Sequence, residues 1–423
     1  MPSPDPMPSP ALPLICALLR GESPAWPPDA RGIEADDFLR EARYHGVTPL
    51  LDARFRDMRP SMNGSDSRTT ASRIDPVSPG PDAQIREAGA AARWPDAIRR
   101  ACREDALVQA MNELVRRDEL VRVLGALAAS GVTPLVLKGG ALAYTHYPSP
   151  ALRPRGDTDL LVPESQLRAT TAVLDRLGYT RGHGVTGDFI SYEAAWSREA
   201  GSGIVHHLDV HWRINNSQIL ARLLTCDELV ARATVLPPLG PHARAPCAVH
   251  ALLYACMHRA GHANAPYVVD GRAYLGGDRL IWLYDMHLLV KRMSDAEVTE
   301  FAAMAAARRL RAICRDALQQ CVDRFGTPVP PSILAALAPD GDVEPSARYL
   351  SGGRTRQMIG DFLALEGASQ RLRWLKELAF PPADYMRRKY SESAGVWLPV
   401  LYARRGLHGL WRLAAGTPDD RAG

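Results

Sequence analysis

The segment that most restricts this 423-residue chain runs Gly156-Asp157-Thr158-Asp159-Leu160-Leu161-Val162. Its apolar end reads as a short buried strand entered through Gly156. Side chains two apart on a strand share a face, so Asp157 and Asp159 project together while Thr158 points away. Two neighbouring carboxylates repel each other unless a cation lies between them. An all-oxygen ligand set selects a hard cation, Mg²⁺ above all.

The flanking sequence adds an anion cradle. Thr133 to Leu137 reads as a strand, and Gly139 to Tyr147 as a helix directly after it. Gly139-Gly140 therefore opens a helix, whose free N–H groups and positive dipole suit phosphate. Without a Cβ, each glycine lets a ligand approach the backbone. Lys138, Arg153 and Arg155 lie close by in sequence and could neutralise a triphosphate. Lys138 can equally be read as a side chain snorkelling from a strand end. Arg153 can equally be read as the ion-pair partner of one of the acids.

A third acid lies in His206-His207-Leu208-Asp209-Val210-His211-Trp212. Alternation puts Leu208, Val210 and Trp212 on one face and His207, Asp209 and His211 on the other. If this strand pairs beside the first, Asp209 joins Asp157 and Asp159. Three carboxylates suffice for two metal ions about 3.5–4 Å apart, as in-line phosphoryl chemistry requires. His207 and His211 are read either as residues that orient these acids or as packed histidines.

This constellation resembles the DNA polymerase β-like nucleotidyltransferase superfamily. That superfamily combines a Gly-Gly or Gly-Ser turn opening a helix, a strand bearing Asp-x-Asp and a third acid on a later strand. More narrowly, the chain resembles a bacterial nucleotidyltransferase family in Lys138-Gly139, in Arg153 to Val162 and in Asp209-Val210-His211-Trp212. The resemblance extends through His258 and Trp282-Leu283-Tyr284-Asp285, and more weakly to Tyr44 through Leu51. Gly140 stands where a serine is common, which removes one hydroxyl donor, and Arg155 stands where an apolar residue is expected.

The resemblance implies an α+β fold. A small mixed sheet with helices forms the core, flanked by N-terminal helices and a C-terminal helical domain. It also implies roles. Asp157, Asp159 and Asp209 bind Mg²⁺, two ions in all, with Mn²⁺ as a substitute. Asp209 helps deprotonate the acceptor, and Lys138, Gly139, Gly140 and Arg153 bind the NTP phosphates. The acceptor, a small molecule, RNA, protein or peptide, stays open. Two other readings compete with this Mg-dependent nucleotidyltransferase. One is a non-catalytic partner or peptide-binding protein that keeps the fold. The other is a phosphotransferase using the same metal site.

Along the chain, 1–56 reads as helical, with Ala35 to Phe55 at helical spacing. Residues 57–93 read as a flexible insertion, because Ser61 to Pro81 is too polar to bury itself. The core with its leading helix, about Trp94 to Ser130, spans 94–218, and a helical domain spans 219–423. On that leading helix Leu107, Met111, Leu114, Leu120, Val123 and Leu127 share roughly one face.

A net charge of +4 is too small to indicate a dedicated DNA binder. Apolar runs shorter than about 18 residues exclude a spanning helix, and the odd count of 7 cysteines suggests a reducing cytoplasm. Cys247, His250, Cys256, His258 and His262 cluster in sequence but match no closed zinc pattern, and a helix would splay them. His258 and Asp285 are read as one buried pair joining two helices in preference to a lining of the acceptor side, and Trp212, Trp282 and Tyr284 as core in preference to base-stacking groups.

Overall fold

In the computed structural model, the described residues are 10–27, 33–58, 94–182, 187, 189–201, 203–262, 266–269, 272–275, 277–390 and 396–415. Most of the 57–93 segment lies outside them. Among the described residues the architecture is α+β: a seven-stranded mixed sheet with helices packed on it.

Strands β1 (Leu135–Val136), β2 (Thr158–Leu161), β3 (Thr180–Arg181), β4 (Glu193–Glu199), β5 (Val205–His211), β6 (Thr234–Val235) and β7 (Arg244–Ala245) lie in the order β3-β4-β5-β2-β1-β7-β6. The short strand β6 at one edge and its neighbour β7 come after residue 218. Strand β2 pairs parallel with β5 and antiparallel with β1.

Alternation divides the strand residues between two cores. Val136, Leu160, Val162, Leu208 and Val210 enter one cluster, while Leu135, Leu137 and Leu161 enter the other. The first cluster is closed by the leading helix and by the helix Leu167–Arg176. The second is larger and belongs to helices from both ends of the chain. Helices α1 (Ala11–Arg20), α2 (Ala35–Tyr44) and α3 (Thr48–Asp57) share it with the helices that follow the sheet. The N-terminal helices and the later helical region thus have one core in common.

The leading helix, α4 (Asp96–Ala129), ends before Gly131, whose φ of 74° lets the chain turn in the left-handed region. Its predicted apolar face is buried only in the second half, at Leu120, Val123, Leu124 and Leu127. Leu107, Met111 and Leu114 are 48%, 68% and 64% exposed, because the middle of the helix bridges two cores: its start enters one through Ile98 and Cys102, its end the other through Leu120, Val123, Leu124 and Leu127.

Four further helices follow α4: α5 (Lys138–Thr145), α6 (Leu167–Arg176), α7 (Cys226–Ala231) and α8 (Ala248–His262), of which α5 and α8 line the site. Next comes α9 (Leu280–Arg292), then α10 (Asp295–Ala307), started by a capping box between Ser294 and Glu297. Further helices between Arg311 and Ala415 follow, and some of their residues close one side of the central cavity. No described helix is long and apolar enough to cross a membrane. All seven cysteines are unpaired.

Candidate active site

The parallel register of β2 and β5 sets Asp159 directly beside Asp209, and Leu161 beside His211. Neighbouring strands lie about 4.8 Å apart, so two same-face carboxylates meet across that gap. Ligating atoms of Asp159, Asp209 and His211 all fall within 4.8 Å of one another. Asp157, just before β2, opens onto the same cavity but stands outside this tight group.

Two side chains brace Asp159. Lys138 Nζ donates to its Oδ1 at 2.6 Å, and His211 Nε2 lies 2.9 Å from the same oxygen. Burial alone would raise this carboxyl. Lys138, then His211, outweigh it and hold Asp159 well below the usual carboxylate range. Lys138 reaches this place from a left-handed backbone, with φ 50°, at the junction of β1 and α5. A non-glycine residue there is strained, and the ion pair helps to hold it.

The other two acids are less well compensated. Enclosure in the cavity and then the Asp159 charge push Asp157 up. Enclosure, then Asp157 and Asp159, push Asp209 up to about 6. Three carboxylates around one ammonium leave excess negative charge, carried on oxygen atoms. That donor set fits a hard divalent cation, whose binding would relieve the repulsion.

His211 is the histidine that enters the site. Its Nδ1 lies 3.2 Å from Glu193 Oε2, so the ring sits between Asp159 and Glu193. Glu193 is a fourth acid, opposite His211 in the β4–β5 register. The strand around it was legible from alternation, but its pairing partner was not. His207 is exposed, outside the cavity lining.

Gly139 and Gly140 open α5 on the cavity wall. The room left by Gly139 is taken by Arg153: a Cβ there would lie 2.7 Å from the guanidinium carbon. Arg153 itself is buried and pairs with Asp285 on α9, not with one of the three acids. Its Nε and Nη2 reach Asp285 at 2.7–3.0 Å, Nη1 donates to the Pro154 carbonyl at 2.6 Å, and Tyr147 donates to the same carboxylate at 2.7 Å. Asp285 is therefore half of a buried ion pair between α9 and the segment entering β2, and His258 is not its partner. Arg155 pairs with Glu113 of α4 at 2.9 Å.

These groups line a cavity of 2560 Å³ between the sheet and the later helices. His258, His262, Tyr254 and Trp282, on α8 and α9, form part of its wall. Cys256 points away into the core toward Met286, so α8 turns it away from His258 and His262, which line the cavity.

Two comparisons with known proteins bear on this geometry. The model of a family described as "Uncharacterised nucleotidyltransferase" matches residues 31–326, more than half of the chain. Among curated proteins there is no match.

Proposed function

The chain belongs to this uncharacterised nucleotidyltransferase family, and from that premise we propose that it transfers a nucleoside monophosphate from an NTP to a hydroxyl-bearing acceptor. The observation that carries the proposal is the β2–β5 register, which sets Asp159 beside Asp209 in a cavity shared with Asp157. Asp157, Asp159 and Asp209 would hold Mg²⁺, as two ions, with Mn²⁺ as a substitute. The bound metal supplies charge neutralisation at the phosphates and a lower pKa for the acceptor hydroxyl.

The protein's own groups do the rest. The acceptor oxygen bonds to the α-phosphorus, the bond to the pyrophosphate oxygen breaks, and the hydroxyl proton passes to the Asp209 carboxylate. His211 fixes the Asp159 carboxylate from behind. Lys138 and the first N–H groups of α5, at Gly139 and Gly140, receive the β- and γ-phosphates. Arg153, with its donors engaged by Asp285 and Pro154, shapes the cradle by packing on Gly139 and carries no phosphate in this reading.

The test is to incubate the full chain with Mg²⁺ and each α-labelled NTP plus hydroxylated acceptors, and to titrate each Mg–NTP by calorimetry. Label transfer with pyrophosphate release is expected, together with binding that Asp157→Ala weakens. ADP as the product would replace this reading with phosphotransfer. No transfer, and Mg–NTP binding indifferent to Asp157→Ala, would refute it.

A further inference from the structure

Tyr254, His258 and His262 recur every four residues along α8 and so form one ridge, which lines the cavity. The ridge starts beside the acids. Lys138 Nζ, 2.6 Å from Asp159, lies 5.9 Å from the centre of the Tyr254 ring. From there the ridge leads away by about 5 Å per turn.

At its far end the rings are packed as a group. The His258 and His262 centroids are 4.5 Å apart, and Trp282 of α9 stands 5.3 Å from the first and 5.7 Å from the second. Arg279 lies 5.8 Å over the Trp282 ring. His258 and His262 show ring contacts only among the described residues, so their nitrogen edges are not taken up by hydrogen bonds.

Burial, then the charge of Lys138, pulls both imidazoles below their ordinary range, His258 the more strongly. At neutral pH they are uncharged, each with one donor and one acceptor nitrogen. Uncharged rings are poor phosphate ligands. They suit a planar heterocycle, which needs an aromatic face to stack on and a polar edge to pair with.

We propose that the His258–His262–Trp282 wall is the nucleobase site of this protein. The inference rests on the nucleotidyl-transfer reading. It places the base one to two helical turns beyond the phosphate end of the cavity, with the ribose spanning the stretch past Tyr254. Trp282 supplies the stacking face, and the two imidazole edges read the hydrogen-bonding pattern of the base.

The experiment compares ligands with and without a base on the full chain. Binding of Mg–ATP, Mg–GTP, Mg–CTP and Mg–UTP is measured by calorimetry beside Mg–tripolyphosphate, for wild type, His262→Ala, Trp282→Ala and Trp282→Phe. His262 ends α8 and lines the cavity, not the core, so its removal leaves the fold intact. We expect His262→Ala and Trp282→Ala to weaken the preferred NTP by about tenfold or more, while tripolyphosphate changes less than about twofold. Trp282→Phe restores most of the loss. Equal losses for both ligands, or none for the NTP, would overturn the base site and leave nucleotidyl transfer standing. A wild type that binds tripolyphosphate as tightly as every NTP would also overturn it. A wild type that binds neither ligand overturns the parent reading along with it.

Discussion

The strand wall of the cavity and the helix wall opposite it are built on different physics. The strand wall is charged: Asp157, Asp159, Asp209 and Glu193 stand around Lys138 and His211, and the pairing register of β2, β4 and β5 sets their spacing. The helix wall is made of rings held by packing, with Tyr254, His258, His262 and Trp282 on two helices of the larger core. Charge at fixed spacing suits a cation and phosphates, and neutral rings suit a flat ligand. One buried ion pair, Arg153–Asp285, ties the two walls together. The difference teaches that a cavity can divide its labour between the sheet that carries charge and the helices that carry shape.

The sharpest way to break this comparison is at the acids. Asp209→Asn keeps the shape of the strand wall and removes a charge, so pyrophosphate release should fall on the order of 10³-fold with NTP affinity reduced less. A variant that kept near-native turnover would show that charge on this wall is not what the cavity uses.

The tie between the walls comes next. Arg153→Ala leaves Asp285 buried without its partner, at a cost of about 3–5 kcal/mol, read as a lowered urea midpoint. The doubly apolar Arg153→Met/Asp285→Leu should recover much of this loss, because neither charge then remains buried. A single variant as stable as wild type would mean that the walls are not joined here.

A smaller effect separates the halves by pH. Glu119 of α4 accepts bonds from Arg122, Arg198 and Tyr179, fastening the long helix to β4. Burial pushes its carboxyl up, but these three partners outweigh burial and bring it to about 2. Its folded value is depressed, so this contribution is full above about 4.5 and is lost as pH falls from there toward 2. Glu119→Gln should therefore lower the urea midpoint at pH 7 and flatten the acid slope over that window. An unchanged slope would remove Glu119 as an acid-sensitive clasp.

The smallest effect lies on the same helix. Met111→Ser, on its exposed middle stretch, should change stability by less than about 0.5 kcal/mol. Leu124→Ala, on its buried C-terminal stretch, should cost about 2–5 kcal/mol. Similar losses at both positions would mean that the middle of α4 is covered after all.

The halves also differed in how readily the sequence disclosed them. The two acids of β2 and the third of β5 were readable because strand alternation is local: Leu160 and Leu161 say which way the strand is buried, and Asp159 follows. Fold class, the Gly139-Gly140 helix start and most later helices followed from the same periodicities. The resemblance to nucleotidyltransferases rested on those motifs. Tyr254, His258 and His262 carried a signal too, in their four-residue spacing. Spacing defines a face, however, and says nothing of what lies opposite it. Leu107, Met111 and Leu114 show the same limit, since they share a face with Leu120 that no partner covers.

By itself, then, the chain's residue order determined which side chains share a strand face or a helix stripe, and Asp157 and Asp159 do line one cavity. Only the tertiary structure decided that Asp209 joins Asp159 through a parallel register, that Glu193 stands behind His211, and that Arg153 answers to Asp285 more than a hundred residues away. The reason is physical. Periodicity is written into the backbone of a few residues, whereas strand register and helix docking are settled by the burial of whole surfaces, to which every distant segment contributes.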